Sequence, residues 1–288
     1  MNVFREGMKM QDRIEKIGFG TIIQHGELNK RVYLMKLDKR DGSEIIEQIN
    51  TLARANNYSK IFCKIPQQYA PQFLANGFFV EAQIPGFYKG DQAAFFMSKF
   101  LNSDRLLDIE TDSLIELSAL LKKTKVLKSG DIRKDSSVEL SRLTKEDLDL
   151  IAAIYRKVFA SYPFPIHDPD YILETMENNV QYFGIKAKGK LIALASAEVD
   201  KESQNAEMTD FATLPAYQGK NLSVLLLNAM ENEMKAQGIK TLYTIARLKS
   251  VGMNKTFIRR NYIYSGTLIK NTQISGGIES MNVYYKNI

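Results

Sequence analysis

The stretch at residues 206–238 constrains the fold more than any other part of the chain. Glu207-Met208-Thr209-Asp210-Phe211-Ala212-Thr213-Leu214 reads as a strand, Pro215-Ala216-Tyr217 closes it, and Gln218-Gly219-Lys220-Asn221-Leu222-Ser223 turns straight into a helix. Leu222, Leu225, Leu226, Ala229, Met230 and Met234 recur at three- and four-residue spacing, and Gly238 follows as the residue best able to take a left-handed conformation after the last turn. A strand that delivers a small-residue loop to a helix N-terminus leaves several backbone N–H groups unpaired and pointing the same way, which is what a phosphate or pyrophosphate needs.

The rest of the chain alternates strand and helix patterns around this joint. Residues 1–20 carry no clear period and read as an irregular or strand-like start. Residues 31–37 read as a strand, Asp41-Gly42-Ser43 as a capped turn, 44–56 as a helix with Ile45, Ile46, Ile49, Leu52 and Ala53 on one face, and 60–65 as a strand. A short helix with Pro66 at its start runs to Asn76, followed by strands at 78–82 and 93–100. Residues 101–137 form a connector with one amphipathic helix (Leu114, Leu117, Leu120, Leu121) and the polar run Lys128-Ser129-Gly130-Asp131, and the domain boundary is placed there. Thr144 and Asp147 then match a capping box, and Leu143 and Leu148 a hydrophobic staple, for a helix reaching Val158. After the aromatic-proline loop at 162–168 come a helix at 169–178, strands at 180–187 and 191–199, the central joint, a strand at 240–247, a helix at 251–260 and two closing strands around Ser275-Gly276-Gly277. The reading is α/β (α+β): a first domain over 1–100, the connector, and a second domain over 138–288.

Composition narrows the function by exclusion. No apolar run approaches the roughly 18 residues of a membrane span, and the first residues have no apolar signal-peptide core, so a cytoplasmic protein without a membrane partner is expected. The single cysteine, Cys63, sits in an apolar strand pattern as an inert buried thiol, and two histidines with no clustered Cys/His spacing give a zinc site nothing to be built from, so no metal is expected. The net charge of +6 permits an anionic ligand, while the basic run over 122–134 lacks aromatics and any nucleic-acid motif, so no nucleic acid is expected.

The loop contains neither a Walker A nor a G-x-G-x-x-G pattern; it resembles the [QR]-x-x-G-x-[GA] motif of the GCN5-related N-acetyltransferases (GNAT). Gln218 holds the motif's first position, Asn221 replaces its first glycine and Ser223 its last, Asn being the non-glycine residue that best tolerates positive φ and Ser being small. The element order of 138–288 is also that of this fold. The resemblance implies acetyl-CoA as cosubstrate, gripped by Gln218, Gly219, Lys220, Asn221, Leu222 and Ser223, with the strand backbone at Phe211, Ala212, Thr213 and Leu214 meeting the thioester and Asn254 and Phe257 near the pantetheine arm.

Acetyl transfer to an amine requires removal of a proton from an ammonium of pKa about 10.4 and N–H donors for the carbonyl oxygen. The candidate bases are Glu207 and Asp210; strict alternation puts them on opposite faces of the strand unless a bulge intervenes, and the resemblance implies a bulge in this strand, so both remain candidates. The family's usual tyrosine acid is replaced by Phe257, leaving Tyr264, water or an unassisted thiolate. Tyr162, Phe164 and Asp168, in the loop where the family builds acceptor pockets, are candidate acceptor contacts, against the reading of that loop as an ordinary lid. A weak repeat, Phe73 to Phe78 against Phe257 to Tyr262 at an offset of 184, marks the first domain as a degenerate acetyltransferase-like half that packs against or walls the substrate site. Over nearly its full length the chain resembles the β-lysine N6-acetyltransferases, which implies a small diamino acid acceptor. The same layout also suits a catalytically silent acyl-CoA sensor or an aminoacyl-tRNA-dependent transferase, and a homodimer is left open.

Overall fold

The computed structural model describes residues 12–42, 44–127 and 137–288; the expectations for residues 1–11, Ser43 and the polar run at 128–131 lie outside these. The first lobe contains β1 (Arg13–Ile17), β2 (Thr21–Gly26), β3 (Arg31–Lys36), α1 (Glu44–Ala55), β4 (Lys60–Pro66), α2 (Ala70–Ala75), β5 (Phe79–Tyr88) and β6 (Gln92–Phe100). Two helices follow, α3 (Ser103–Leu107) and α4 (Thr111–Lys123). The second lobe comprises β7 (Glu139–Arg142), α5 (Leu148–Val158), α6 (Pro169–Asn178), β8 (Val180–Ala187), β9 (Lys190–Asp200), β10 (Asn205–Thr213), α7 (Leu222–Ala236), β11 (Thr241–Arg247), α8 (Val251–Arg259), β12 (Ile263–Ile274) and β13 (Gly277–Asn287).

The two sheets share one plan. In the first the order is β1-β2-β3-β4-β6-β5, and in the second β12-β13-β11-β10-β9-β8-β7. Strands β3 and β4 are parallel, with β4–β6 and β6–β5 antiparallel; β10 and β11 are parallel, with β11–β13 and β13–β12 antiparallel. The weak repeat is visible in packing. Phe73 and Phe78 meet edge to face at 5.1 Å, as Phe257 and Tyr262 do at 5.1 Å, and the residue before each second ring, Gly77 or Asn261, has positive φ. Each aromatic pair pins a short helix against its sheet, and burying rings of this size contributes about 1.5–3 kcal/mol each.

The helix that follows the central joint buries Leu222, Leu226, Leu227, Met230 and Met234 against β8, β9 and β10, and Gly238 takes φ 77° behind it. Thr144 and Asp147 form the capping box, reading the start of α5 as the sequence spells it. Two elements escape the sequence pattern. In β2 the polar Gln24 and His25 are buried, His25 Nδ1 within 3.1 Å of the Tyr58 hydroxyl and Nε2 within 2.9 Å of Glu15, so the apolar alternation that marks a strand is broken. The short α3 exists to place Arg105, whose guanidinium donates to the carbonyls of Asn29, Lys30 and Lys270 and so joins both lobes. Helix α4, read as part of the connector, seats Leu117 in the second lobe's core with Leu114, Leu120 and Leu121 beside it.

The lobes meet along the outer strands β5 and β12. Ser265 Oγ donates to the Gln83 carbonyl and accepts from the Gln83 N–H at 2.9 Å, and at Gly266 a Cβ would lie 2.0 Å from the Glu81 carbonyl oxygen. Lys60, wholly buried, bonds Glu81 at 2.9 Å and the Ile269 carbonyl at 2.7 Å, while the Ile269 N–H donates to the same Glu81 carboxylate. A shared apolar layer of Phe62, Phe87, Phe96, Tyr243, Leu268 and Val283 fills the seam.

Candidate active site

The site grows from an irregularity in β10. Its antiparallel pairing with β9 runs from Asn205↔Asp200 to Thr209↔Ser196 and resumes only at Ala212↔Leu194, so two residues, Asp210 and Phe211, oppose one on the partner. Asp210 has φ +55°. This β-bulge moves the Asp210 carboxylate to the face that Glu207 already occupies, and both line one cavity. Directly across the ladder from Glu207 lies Glu198 on β9, giving three carboxylates in one place.

The other side of β10 opens. Its parallel pairing with β11 covers only Asn205↔Thr241, Ala206↔Leu242 and Glu207↔Tyr243, although both strands continue beyond that point. The two strands part at Glu207, and the backbone of β10 from there on is free of its neighbour on that side.

The cavity and the open space at its mouth together span about 930 Å³. The first lobe supplies Arg31, Tyr33 and Met35 from alternate positions of β3 and Phe62 and Lys64 from alternate positions of β4. The loop after α5 supplies Tyr162 and Phe164, and Tyr171, Tyr182, Asn271 and Thr272 add to the polar lining. Asp168 stands apart: its exposed carboxylate accepts the Asp170 N–H at 3.0 Å and caps α6, so it does not reach the cavity.

The carboxylates differ in their surroundings. Asp210 accepts three hydroxyls, from Tyr162, from Ser196 at 2.6 Å and from Thr209 at 3.3 Å; burial nevertheless holds its pKa above the ordinary aspartate value. Burial also raises Glu207, while Lys64, the Tyr243 hydroxyl and the Ile245 N–H favour its ionised form. Glu198 projects into the cavity, where solvent can touch it although protein surrounds it; burial and then the charges of Glu207 and Asp210 push its pKa up to about 8. Like charges on facing strands cannot both ionise freely, so the two carboxylates titrate as a pair, with Lys64, the Tyr243 hydroxyl and the Ile245 N–H favouring the charge on Glu207. Burial works against the Lys64 ammonium, but Tyr33, Glu207, Tyr88 and Glu198 outweigh it and hold its pKa above the usual lysine value.

At the head of α7, Gly219 and Asn221 have φ +78° and +58°, the left-handed conformations that the substitution of Asn for glycine tolerates. The N–H groups of Gly219, Lys220, Asn221, Leu222 and Ser223 have no backbone acceptor among the described residues, and the first turn of α7 carries no acidic residue. Lys220 lies over the Tyr217 ring, Arg259 donates to Asn221 Oδ1 at 3.0 Å, and space above Gly219 is open. This donor set suits a pyrophosphate. The equivalent helix start in the first lobe suits none, since Asp41, Glu44 and Glu47 gather there and Asp41 is already bonded to Thr21 and the Phe19 N–H.

Gln218 Nε2 is 3.4 Å from the Thr213 carbonyl, Ser223 bonds Thr256 at 2.9 Å, and Leu214 gives its N–H to the Ile192 carbonyl; residues 211–213 have no partner on β11. Asn254 is fully buried: its amide donates to the carbonyls of Arg247, Leu248 and Ser250 and accepts from Asn282 and Tyr284, so it holds β11, α8 and β13 together. Phe257 packs among Phe211, Tyr262 and Tyr284. Tyr264 shares its hydroxyl with Thr267 at 2.6 Å and is not among the cavity residues.

Residues 149–255, which span this bulge, gap and helix start, match the Acetyltransferase (GNAT) family. A β-lysine N(6)-acetyltransferase of Methanococcus maripaludis is 40% identical, covering 92% of this chain and 96% of its own length. The chain belongs to the GNAT acetyltransferase family. N-acetyltransferase YodP of Bacillus subtilis is 31% identical over 97% of this chain and the whole of that one, and a β-lysine N(6)-acetyltransferase of Methanosarcina mazei is 31% identical over 84% and 96%. As a GNAT enzyme it is an N-acetyltransferase that uses acetyl-CoA.

Reasoning from sequence missed Glu198, Arg31, Tyr33 and Lys64. A signal existed for Glu198 and Lys64, each the one charged residue inside an otherwise apolar strand run, where an ionisable group must have a partner or a task.

Proposed function

We propose that this enzyme acetylates the side-chain (N6) amine of β-lysine in the cytoplasm, with Glu207 as the base. The observation that carries the reading is the bulge that gathers Glu207, Glu198 and Asp210 in one cavity at the point where β10 and β11 part. The 40% identity to a β-lysine acetyltransferase over nearly the whole chain supports the choice of acceptor.

Acetyl-CoA supplies a thioester; the protein residues do the rest. Lys220 and the N–H groups at 219–223 would hold the pyrophosphate, and the backbone at 211–213, unpaired with β11, would offer N–H groups to the thioester oxygen. Glu207 as a carboxylate takes one proton from the acceptor ammonium, the freed amine lone pair attacks the carbonyl carbon, and as the C–S bond breaks the new amide nitrogen gives up its second proton to water. Asp210 is a positioning residue: with its carboxylate engaged by three hydroxyls it fixes Tyr162 over the acceptor chain. The thiolate leaves to solvent protons, since Phe257 can donate none.

The test is coenzyme A release, followed with a thiol reagent, for β-lysine, α-lysine, a polyamine and a protein lysine side by side. Release with β-lysine well above the others supports the reading. Equal or greater release with a polyamine or a protein lysine would sink the assigned acceptor.

A further inference from the structure

Arg31 is a buried cation with no counter-ion among the described residues. Its residue is 4% exposed, it lines the cavity, and it makes no ion pair among the described residues. Its Nη1 donates to the Asn271 carbonyl and, at 3.2 Å, to Thr272 Oγ1; Nη2 reaches Gln24 Oε1 at 3.4 Å. The Nε–H has no partner, and neither do Gln24 Nε2 and Asn271 Oδ1, the polar atoms of its two neighbours. The guanidinium lies over the Tyr33 and Phe62 rings, 5.2 and 5.7 Å from their centroids.

The nearest acids are engaged elsewhere. Asp12 is bonded to the Leu28 N–H and the Asn29 amide, and Glu81 to Lys60, Ser98 and the Ile269 N–H. Lys64, the other cation of the cavity, already faces Glu207 and Glu198. A buried charge left unpaired is strongly unfavourable, and a guanidinium that lines a cavity with one N–H unpartnered matches a carboxylate.

We infer that Arg31, contributed by the first lobe, binds the carboxylate of the acceptor and makes the enzyme specific for free amino acids over amines that lack an acid group. The inference deepens the proposed function and rests on it for the choice of β-lysine. The cavity then offers both signs: Arg31 receives the acid group, and the carboxylates on β9 and β10 receive the amine that reacts. The first lobe, which has no pyrophosphate cradle of its own, supplies the specificity.

The experiment compares kcat/KM for β-lysine with that for its primary amide, which keeps shape and both amines but not the negative charge, in the full-length enzyme. The expected preference for the acid is on the order of a hundredfold, the size of effect seen when one partner of a buried charge pair is removed. In Arg31→Gln the preference collapses toward one, through a raised KM for β-lysine with the KM for acetyl-CoA unchanged, and Arg31→Lys restores part of it. An acid-to-amide ratio near one in the wild-type enzyme overturns the inference whether or not any variant folds, and so does a folded Arg31→Gln that keeps the wild-type ratio. If β-lysine is not an acceptor but another amino acid is, the acceptor assignment falls while the acid and amide of that amino acid test Arg31 in the same way. Activity confined to acceptors without a carboxylate overturns it.

Discussion

Replacing Glu207 by Gln keeps the side chain's size and its contact with the Tyr243 hydroxyl while removing the proton acceptor. The magnitude follows from the acceptor. With an ammonium pKa of about 10.4, roughly one amine in 2,500 is already neutral at pH 7 and about one in 25 at pH 9. An enzyme without its base depends on that fraction, so Glu207→Gln is expected to lose about 10³-fold in kcat/KM at pH 7, within the usual range for general base catalysis. Its rate should climb about tenfold per pH unit toward the wild type, the deficit narrowing to some tens at pH 9. Asp210→Asn, whose backbone also tolerates positive φ, is expected to act on the acceptor's KM through the loosened Tyr162, with kcat much less affected. The assay is coenzyme A release at saturating acetyl-CoA, pH 6.5 to 9.5, varying the acceptor. A deficit in Glu207→Gln that stays constant with pH, or a pH-dependent collapse in Asp210→Asn with Glu207→Gln close to wild type, would refute the assignment and pass the base to Asp210.

Three further outcomes can be measured. Because the Glu198 pKa is raised to about 8, the stability that its proton confers is complete below the ordinary glutamate pKa and lost as pH rises through 8; Glu198→Gln should therefore gain Tm relative to wild type as pH goes from 5 to 9, read by differential scanning fluorimetry. At the cradle, Asn221→Gly should leave the KM for acetyl-CoA close to wild type, whereas Asn221→Val, forced into a left-handed conformation at a cost of about 1–2 kcal/mol, should raise it several-fold. Gly266→Ala would drive a Cβ into the Glu81 carbonyl, and overpacking of about 1–3 kcal/mol should lower Tm by several degrees and raise the acceptor KM as the lobes separate.

Much of the second lobe is legible in the sequence because it obeys local rules. The 3.6-residue period of α7, the capping box at Thr144 and the left-handed Asn221 each follow from residues within one turn of one another. The bulge at Asp210 is of another kind. Nothing in Glu-Met-Thr-Asp-Phe itself announces an extra residue, since the register is set by β9 and alternation alone sends Glu207 and Asp210 to opposite faces; only the family resemblance implies the bulge. Glu198 and Arg31 lie nine and 176 positions from Glu207, and only the sheet order brings them to one cavity. Asn254 illustrates the converse, a residue whose position suggests ligand contact and whose five hydrogen bonds inside the protein hold three elements together.

The junction of β5 and β12 bears on the exposure of strand edges. Each is the last strand of its sheet, and a free strand edge is a template for pairing with another molecule. Here each edge is shielded by the other, through Ser265, Gly266 and the Lys60–Glu81 pair. Either lobe produced alone would bare that edge together with the aromatic layer of Phe62, Phe87 and Tyr243. During synthesis the first lobe is complete long before β12 exists, so its bare edge is exposed for the whole interval in which the second lobe is made, and that interval is when a ribosome-bound chain of this kind most needs a chaperone.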